Sequence, residues 1–155
     1  MKSKFILFSA MSLLLPGVAF ADTGADGMYN ISKKGDKAKA KRTINISMRE
    51  TEDGKMLFEP KVLNFRKGET VILNFTNKGE TDHEFVMDTE AKVQEHKAVM
   101  EKNPDMEHAD DNSLRLAPGA KGQIIWTFAK SGPFTFACLI PGHYEAGMHG
   151  KMKVN

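Results

Sequence analysis

The chain predicts an all-β fold, a sandwich or barrel of seven or eight short strands with a short helical insertion near 89–102. Three features point there. Short runs alternate apolar and polar residues with the period of a half-buried strand. Gly, Asn and Pro turn signals separate the runs. A single stretch, within an acidic break at 88–116, combines helix-forming residues with start and stop signals.

The first alternating run carries Ile44, Ile46 and Met48. Met56-Leu57-Phe58 and Val62-Leu63-Asn64-Phe65 follow as short β-rich runs, and Arg66-Lys67-Gly68-Glu69 supplies a turn. Val71, Leu73 and Phe75 then share one face of the next strand, which ends at the turn Asn77-Lys78-Gly79. Asp82 to Met87 reads as another short strand, with His83, Phe85 and Met87 on one face. Residues 89–102 read as a helix capped by Asp88 or Thr89 and stopped by Asn103-Pro104, with only a modest apolar stripe through Val93 and Met100. Pro104 to Ser113 is acidic and loop-like. The excursion is too short to build a core of its own. The β pattern returns with Ile124, Trp126 and Phe128, continues through Phe134, Phe136 and Cys138, and closes at 151–155.

The 155 residues suffice for one domain. The start reads as a secretory signal over residues 1–21: basic Lys2 and Lys4, an apolar run from Phe5 to Leu15, and the small-x-small pattern Ala19-Phe20-Ala21. The apolar run is shorter than the roughly 20 residues that span a bilayer, so no membrane span is expected after signal removal. Removing the signal leaves 20 acidic and 20 basic residues, because its only charges are two lysines. That balance argues against nucleic acid as a partner. Residues 22–42 are locally basic and lack apolar periodicity, so they read as a flexible basic arm, a solvated tail or a docking arm for an acidic partner. The domain proper is expected over 43–155.

Cys138 is the single cysteine. In a secreted chain a lone thiol cannot close an internal disulfide, and coordination would protect it from oxidation. Four residues separate it from His143, and four more separate His143 from Met148. A thiolate, an imidazole and a thioether on one short loop form a soft ligand set that suits copper. A type 1 copper site needs a second imidazole. His83 is the best placed of the remaining four histidines, just past a turn and beside an apolar strand. His96 and His108 lie on the excursion, and His149 points away from Met148 on any extended segment. Zinc could use the same Cys and two His, but it prefers Cys, His or carboxylate to Met as fourth ligand. A Cys–His nucleophile would need an oxyanion hole, and nothing else in the sequence supports one.

Gly68-Glu69-Thr70-Val71, His83-Glu84-Phe85, Gly132-Pro133-Phe134-Thr135-Phe136-Ala137-Cys138, Pro141-Gly142-His143 and Gly147-Met148-His149-Gly150 together resemble the cupredoxins. These are the small blue copper proteins that include plastocyanin, azurin and auracyanin. The resemblance covers most of residues 43–155. It implies a Greek-key β-sandwich, one Cu(I)/Cu(II) ion, and His83, Cys138, His143 and Met148 as its ligands. It also implies the backbone N–H of Glu84 as a donor to the thiolate. The two equal gaps around His143 look more like auracyanin than plastocyanin, and the helical excursion falls where azurin-like members carry a flap.

The expected function is that of a periplasmic blue copper protein, not an enzyme, which carries one electron through its type 1 site. It would act as a monomer, exchanging electrons with a cytochrome or a copper oxidase. The alternative is a periplasmic copper-tolerance protein that buffers or delivers copper. Periplasmic copper-tolerance cupredoxins resemble this chain at Asp82-His83-Glu84-Phe85 and in the Cys-to-Met loop. They often carry a His/Met-rich N-terminal stretch, whereas residues 22–42 hold only Met28 and no His. A further Cu(I) site could draw on Met87, His96, Met100, Met106 and His108, although methionines equally serve to fill gaps in a core.

Overall fold

The computed structural model describes residues 31–155, apart from 105 and 107–109. The signal-like segment 1–21, residues 22–30 of the basic arm and His108 lie outside the described residues.

Ten strands form two five-stranded sheets among the described residues, and the all-β sandwich is as expected. The first sheet orders β1 (Lys33–Lys34), β8 (Lys121–Thr127), β5 (Thr70–Asn77), β2 (Arg42–Glu50) and β3 (Met56–Glu59) side by side. The second orders β4 (Val62–Phe65), β10 (His149–Val154), β9 (Gly132–Ala137), β6 (His83–Asp88) and β7 (Ser113–Leu116). The chain changes sheet repeatedly, so successive strands often face each other across the core.

The period-two runs bury the faces they predict. Val71, Leu73 and Phe75 of β5 point inward, as do Ile124 and Trp126 of β8. Aromatic edges knit the two sheets: Phe58 meets Phe85 and Phe136 at 5.7 and 5.3 Å in T-shaped contacts, and Phe75 lies 4.6 Å from Phe85. Such pairs add directional energy to the area they bury.

Strand β6 is buried on both faces. One face meets the main core. The other lies under helix α1 (Glu90–Lys102), where Val86 joins Val93, Met100, Ala137 and Leu139 in a second, smaller cluster. Thr89 caps this helix, its Oγ1 accepting from the Lys92 N–H, and Asn103 closes it. The apolar stripe is modest because only Val93 and Met100 need to reach the sheet.

Two expectations need correction. The strand count is ten rather than seven or eight, because β1 is only two residues long and the four-residue edge strand β7 lies within the acidic break at 88–116. Residues 31–42 are also ordered against the sheet rather than forming part of a flexible arm. Ile31 is fully buried in the main core. Lys33 and Lys34 pair with Thr127 and Trp126, and Lys41 N–H donates to the Thr70 carbonyl. One apolar anchor and main-chain bonds to an open sheet edge suffice here, and neither leaves a periodic pattern. Gly35 permits the close approach, since a Cβ there would lie 2.8 Å from Thr70 Cγ2 and 3.1 Å from the Trp126 carbonyl carbon.

A close approach also occurs at Gly150, where a Cβ would overlap the Phe136 ring and lie 2.6 Å from the Lys61 carbonyl oxygen. Neither the fully buried ring nor the Lys61 carbonyl, which accepts from the Lys151 N–H, can retreat cheaply. Gly150→Ala should therefore lower the stability of the copper-free protein by about 1–3 kcal/mol, read from denaturant unfolding.

Candidate metal centre

The centre is assembled by the pairing of β6 with β9. Their antiparallel register sets Val86 opposite Ala137 and Met87 opposite Phe136. The start of β6, with His83 and Glu84, therefore lies beside the residues that follow β9, where Cys138 stands. The Glu84 N–H donates to Cys138 Sγ at 3.3 Å, the contact expected of this residue.

The loop from Cys138 to His149 is tied by its own backbone. Cys138 N–H donates to the Met148 carbonyl at 2.9 Å, and Met148 N–H donates to the His143 carbonyl at 3.0 Å. Each of the three candidate ligands on the loop is thus held to the next through the main chain. Gly142 and Gly147 turn the loop at φ of +87° and +100°, conformations that disfavour any residue with a Cβ. Met56 N–H donates to Ala146 O and fastens the loop to β3 of the other sheet.

His83, Cys138 and His143 converge, each offering one ligand atom within 4.8 Å of the others. His83 Nδ1 and His143 Nδ1 lie 3.3 Å apart, and Cys138 Sγ lies 3.4 Å from His143 Nδ1. His83 and Cys138 are fully buried, whereas His143 keeps part of its surface exposed. Met148 is fully buried in the same core cluster as Cys138. The structure therefore brings together His83, Cys138 and His143 from two separate parts of the chain and seats Met148 in the adjoining core.

Other sulfur and imidazole groups are placed differently. Met87 packs in the main core and Met100 beneath helix α1 in the smaller cluster, while Met106 is exposed. Both buried thioethers thus fill space between the layers. His149 stacks on Tyr144 at 4.4 Å.

Electrostatics favour neutral groups while no cation is bound. Burial pushes the Cys138 thiol up to about 12, outweighing the N–H groups of Glu84 and Ile140 that favour the thiolate. Burial likewise lowers His83, against the pull of Glu50, and lowers His143, where the neighbouring His83 adds to the effect. Two neutral imidazoles and a buried thiol can exchange the thiol proton for a cation, and a bound cation would stabilise the thiolate strongly. The donor set of two imidazoles and one sulfur, with a thioether nearby, fits copper.

Glu50 is a neighbour of the centre that the sequence did not reveal. Its Oε1 lies 3.1 Å from His83 Nε2. Burial raises this carboxyl, but the Thr81 hydroxyl and the N–H groups of Glu80 and Thr81 outweigh it and hold the group at about 2. No spacing signal could link residues 33 positions apart in different sheets; only the fold joins them.

The comparisons agree with this geometry. A family model for copper binding proteins of the plastocyanin/azurin family matches residues 45–155. The chain belongs to this family of copper-binding proteins, the cupredoxins, and copper is its metal. It is 48% identical over 130 residues to the copper-resistant cuproprotein CopI of Rubrivivax gelatinosus, spanning 84% of this chain and 75% of that protein. It is 31% identical to the copper-resistant cuproprotein CopI of Pseudomonas aeruginosa, spanning 92% of this chain and 94% of that protein. Among solved structures, the dithionite-reduced auracyanin of Roseiflexus castenholzii superposes with a TM-score of 0.63 at 26% identity, covering 75% of this chain and 98% of that one.

The buried, protonated thiol has a chemical signature. In the copper-free protein at pH 8, alkylation of Cys138 should be roughly 10²- to 10³-fold slower than that of an exposed cysteine, because little thiolate is present. Denaturant should abolish the protection, as measured by mass spectrometry over time.

Proposed function

We propose that this chain is a copper-tolerance protein, which binds one copper ion through His83, Cys138 and His143 with Met148 as a weak axial ligand. The observation that carries the ligand assignment is the convergence of two imidazoles and the lone thiol within 4.8 Å. The relatives carry the role: the two most fully aligned are both copper-resistant cuproproteins, at 48% and 31% identity. The signal-like start supports a periplasmic setting, where a thiol kept under copper is also kept from oxidation.

The residues divide the work. His83 and Cys138 hold the buried side of the centre, and the Glu84 N–H stabilises negative charge on Sγ. His143, partly exposed, is the side from which the centre is loaded and approached. Bound copper would supply a Cu(I)/Cu(II) couple, with the sulfur donors favouring Cu(I). The chain acts as a monomer and binds and releases its metal without a catalytic step.

A second reading is one-electron transport, with a cytochrome or a copper oxidase as partner. It draws on the rigid loop frame and on the partly exposed edge of His143. The names of the relatives favour tolerance over transport.

Three measurements address both. Titration of the purified protein with copper should saturate at one ion per chain with an intense visible band, and His143→Gly should abolish the native band. A strain lacking the protein should regain growth on copper with the wild-type chain but not with Cys138→Ser. An unchanged spectrum in His143→Gly would sink the ligand assignment. Full rescue by Cys138→Ser would sink the tolerance role. Slow electron exchange with periplasmic cytochromes would count against transport.

A further inference from the structure

The geometry points to Glu50 as a positioning residue for the copper centre: its carboxylate fixes the His83 imidazole and biases the site toward Cu(II). This rests on the ligand assignment proposed for His83.

Glu50 ends strand β2, in the sheet opposite the one that carries His83. Its carboxylate is itself held rigidly. Oε2 accepts from the Glu80 N–H at 2.9 Å, and Oε1 accepts from the Thr81 N–H at 3.1 Å and the Thr81 hydroxyl at 2.5 Å. The turn that supplies these donors is shaped by Asn77, which is fully buried. The Asn77 side chain donates to Thr81 O and Leu116 O, and accepts from the Gly79 N–H. Gly79 makes room, since a Cβ there would overlap the Glu50 carboxylate.

His83 Nε2 is fully enclosed and has no hydrogen-bond partner of good angle, yet it faces Glu50 Oε1 at 3.1 Å. The distance is that of a hydrogen bond and only the alignment is loose. Its other nitrogen, Nδ1, faces His143 Nδ1 and the cluster. A proton on Nε2 directed at the carboxylate leaves the Nδ1 lone pair toward the metal position. A metal-ligating histidine commonly gives its second N–H to a carboxylate or carbonyl, which sets tautomer and orientation and raises ligand basicity. Here the partner is a carboxylate on the opposite sheet, so its negative charge acts on the centre and ties the two sheets together through His83. That charge stabilises Cu(II) more than Cu(I).

Loss of such a partner typically costs 10- to 100-fold in metal affinity. Glu50 keeps 23% of its side-chain surface exposed, so solvent screens part of its charge and the lower end applies.

The test uses the full mature chain, Glu50→Gln, and Thr81→Val, which loosens the same turn but leaves the carboxylate opposite His83. Nitrogen-15 NMR of the copper-free proteins reads the His83 tautomer. It should show the proton on Nε2 in the wild type and a shift toward Nδ1 in Glu50→Gln. In the copper-loaded proteins, Glu50→Gln should bind Cu(II) about tenfold more weakly at unchanged Cu(I) affinity. That fold-change raises the reduction potential by about 59 mV for this one-electron couple. Thr81→Val should move the potential far less. The inference is overturned by a wild-type proton on Nδ1, by an unchanged potential in Glu50→Gln, or by equal shifts in the two variants. If the wild type shows the expected tautomer but its NMR signals from His83 do not respond to Cu(I), the ligand assignment fails instead.

Discussion

The structure depends on the register between β6 and β9. Val86 opposite Ala137 is the pairing that sets His83 and Glu84 next to Cys138. Side chains alternate faces along a strand, so a slip of one residue would turn His83 away from the thiol and take Phe85 and Met87 out of the main core. Both strands are buried on both faces along most of their length, which makes such a slip costly. The core therefore does two things with one set of contacts: it holds the sheets together and sets the spacing of the candidate ligands.

The rest of the molecule closes around that pairing. Helix α1 covers the outer face of β6 and β9 through Val93 and Met100, which keeps the far side of the ligand strands dry. Tyr144, next to His143, packs against this cluster, and its hydroxyl accepts from Gln94 of the helix at 2.9 Å. The loop is fixed on its other flank by Met56 of the opposite sheet. The ligand loop is thus clamped between the helix and β3, and its backbone bonds link Cys138, His143 and Met148 before any metal enters. A frame of this kind lowers the ordering cost of binding, because few side chains must be immobilised when the ion arrives.

Much of this was legible in the sequence. The period-two runs located the buried faces of β2, β5 and β8, and Thr89 and Asn103-Pro104 bounded the helix closely. The ligand types and their spacing on the loop marked Cys138, His143 and Met148 as a unit. His83 was found by its place after a turn, and the fold brings it to within 3.3 Å of His143. What stayed hidden has a common cause. Ile31 and β1 are held by a single anchor and edge hydrogen bonds, which leave no periodicity to read, and the alternation of β7 is only four residues long within the acidic break. Glu50 reaches His83 only because β2 and β6 face each other across the sandwich, a relation that depends on topology rather than on spacing. The order of the two functional readings also changed, since electron transport came first from the residues and the copper-resistant relatives favour tolerance.

The central claim is that a thiolate and two imidazoles from two strands hold one copper ion. X-ray absorption of the singly loaded protein tests it most directly. The account predicts a copper environment with one close sulfur and two imidazole nitrogens, and loss of the close sulfur in Cys138→Ser. A shell of nitrogen and oxygen alone, or a copper environment unchanged by Cys138→Ser, would contradict it.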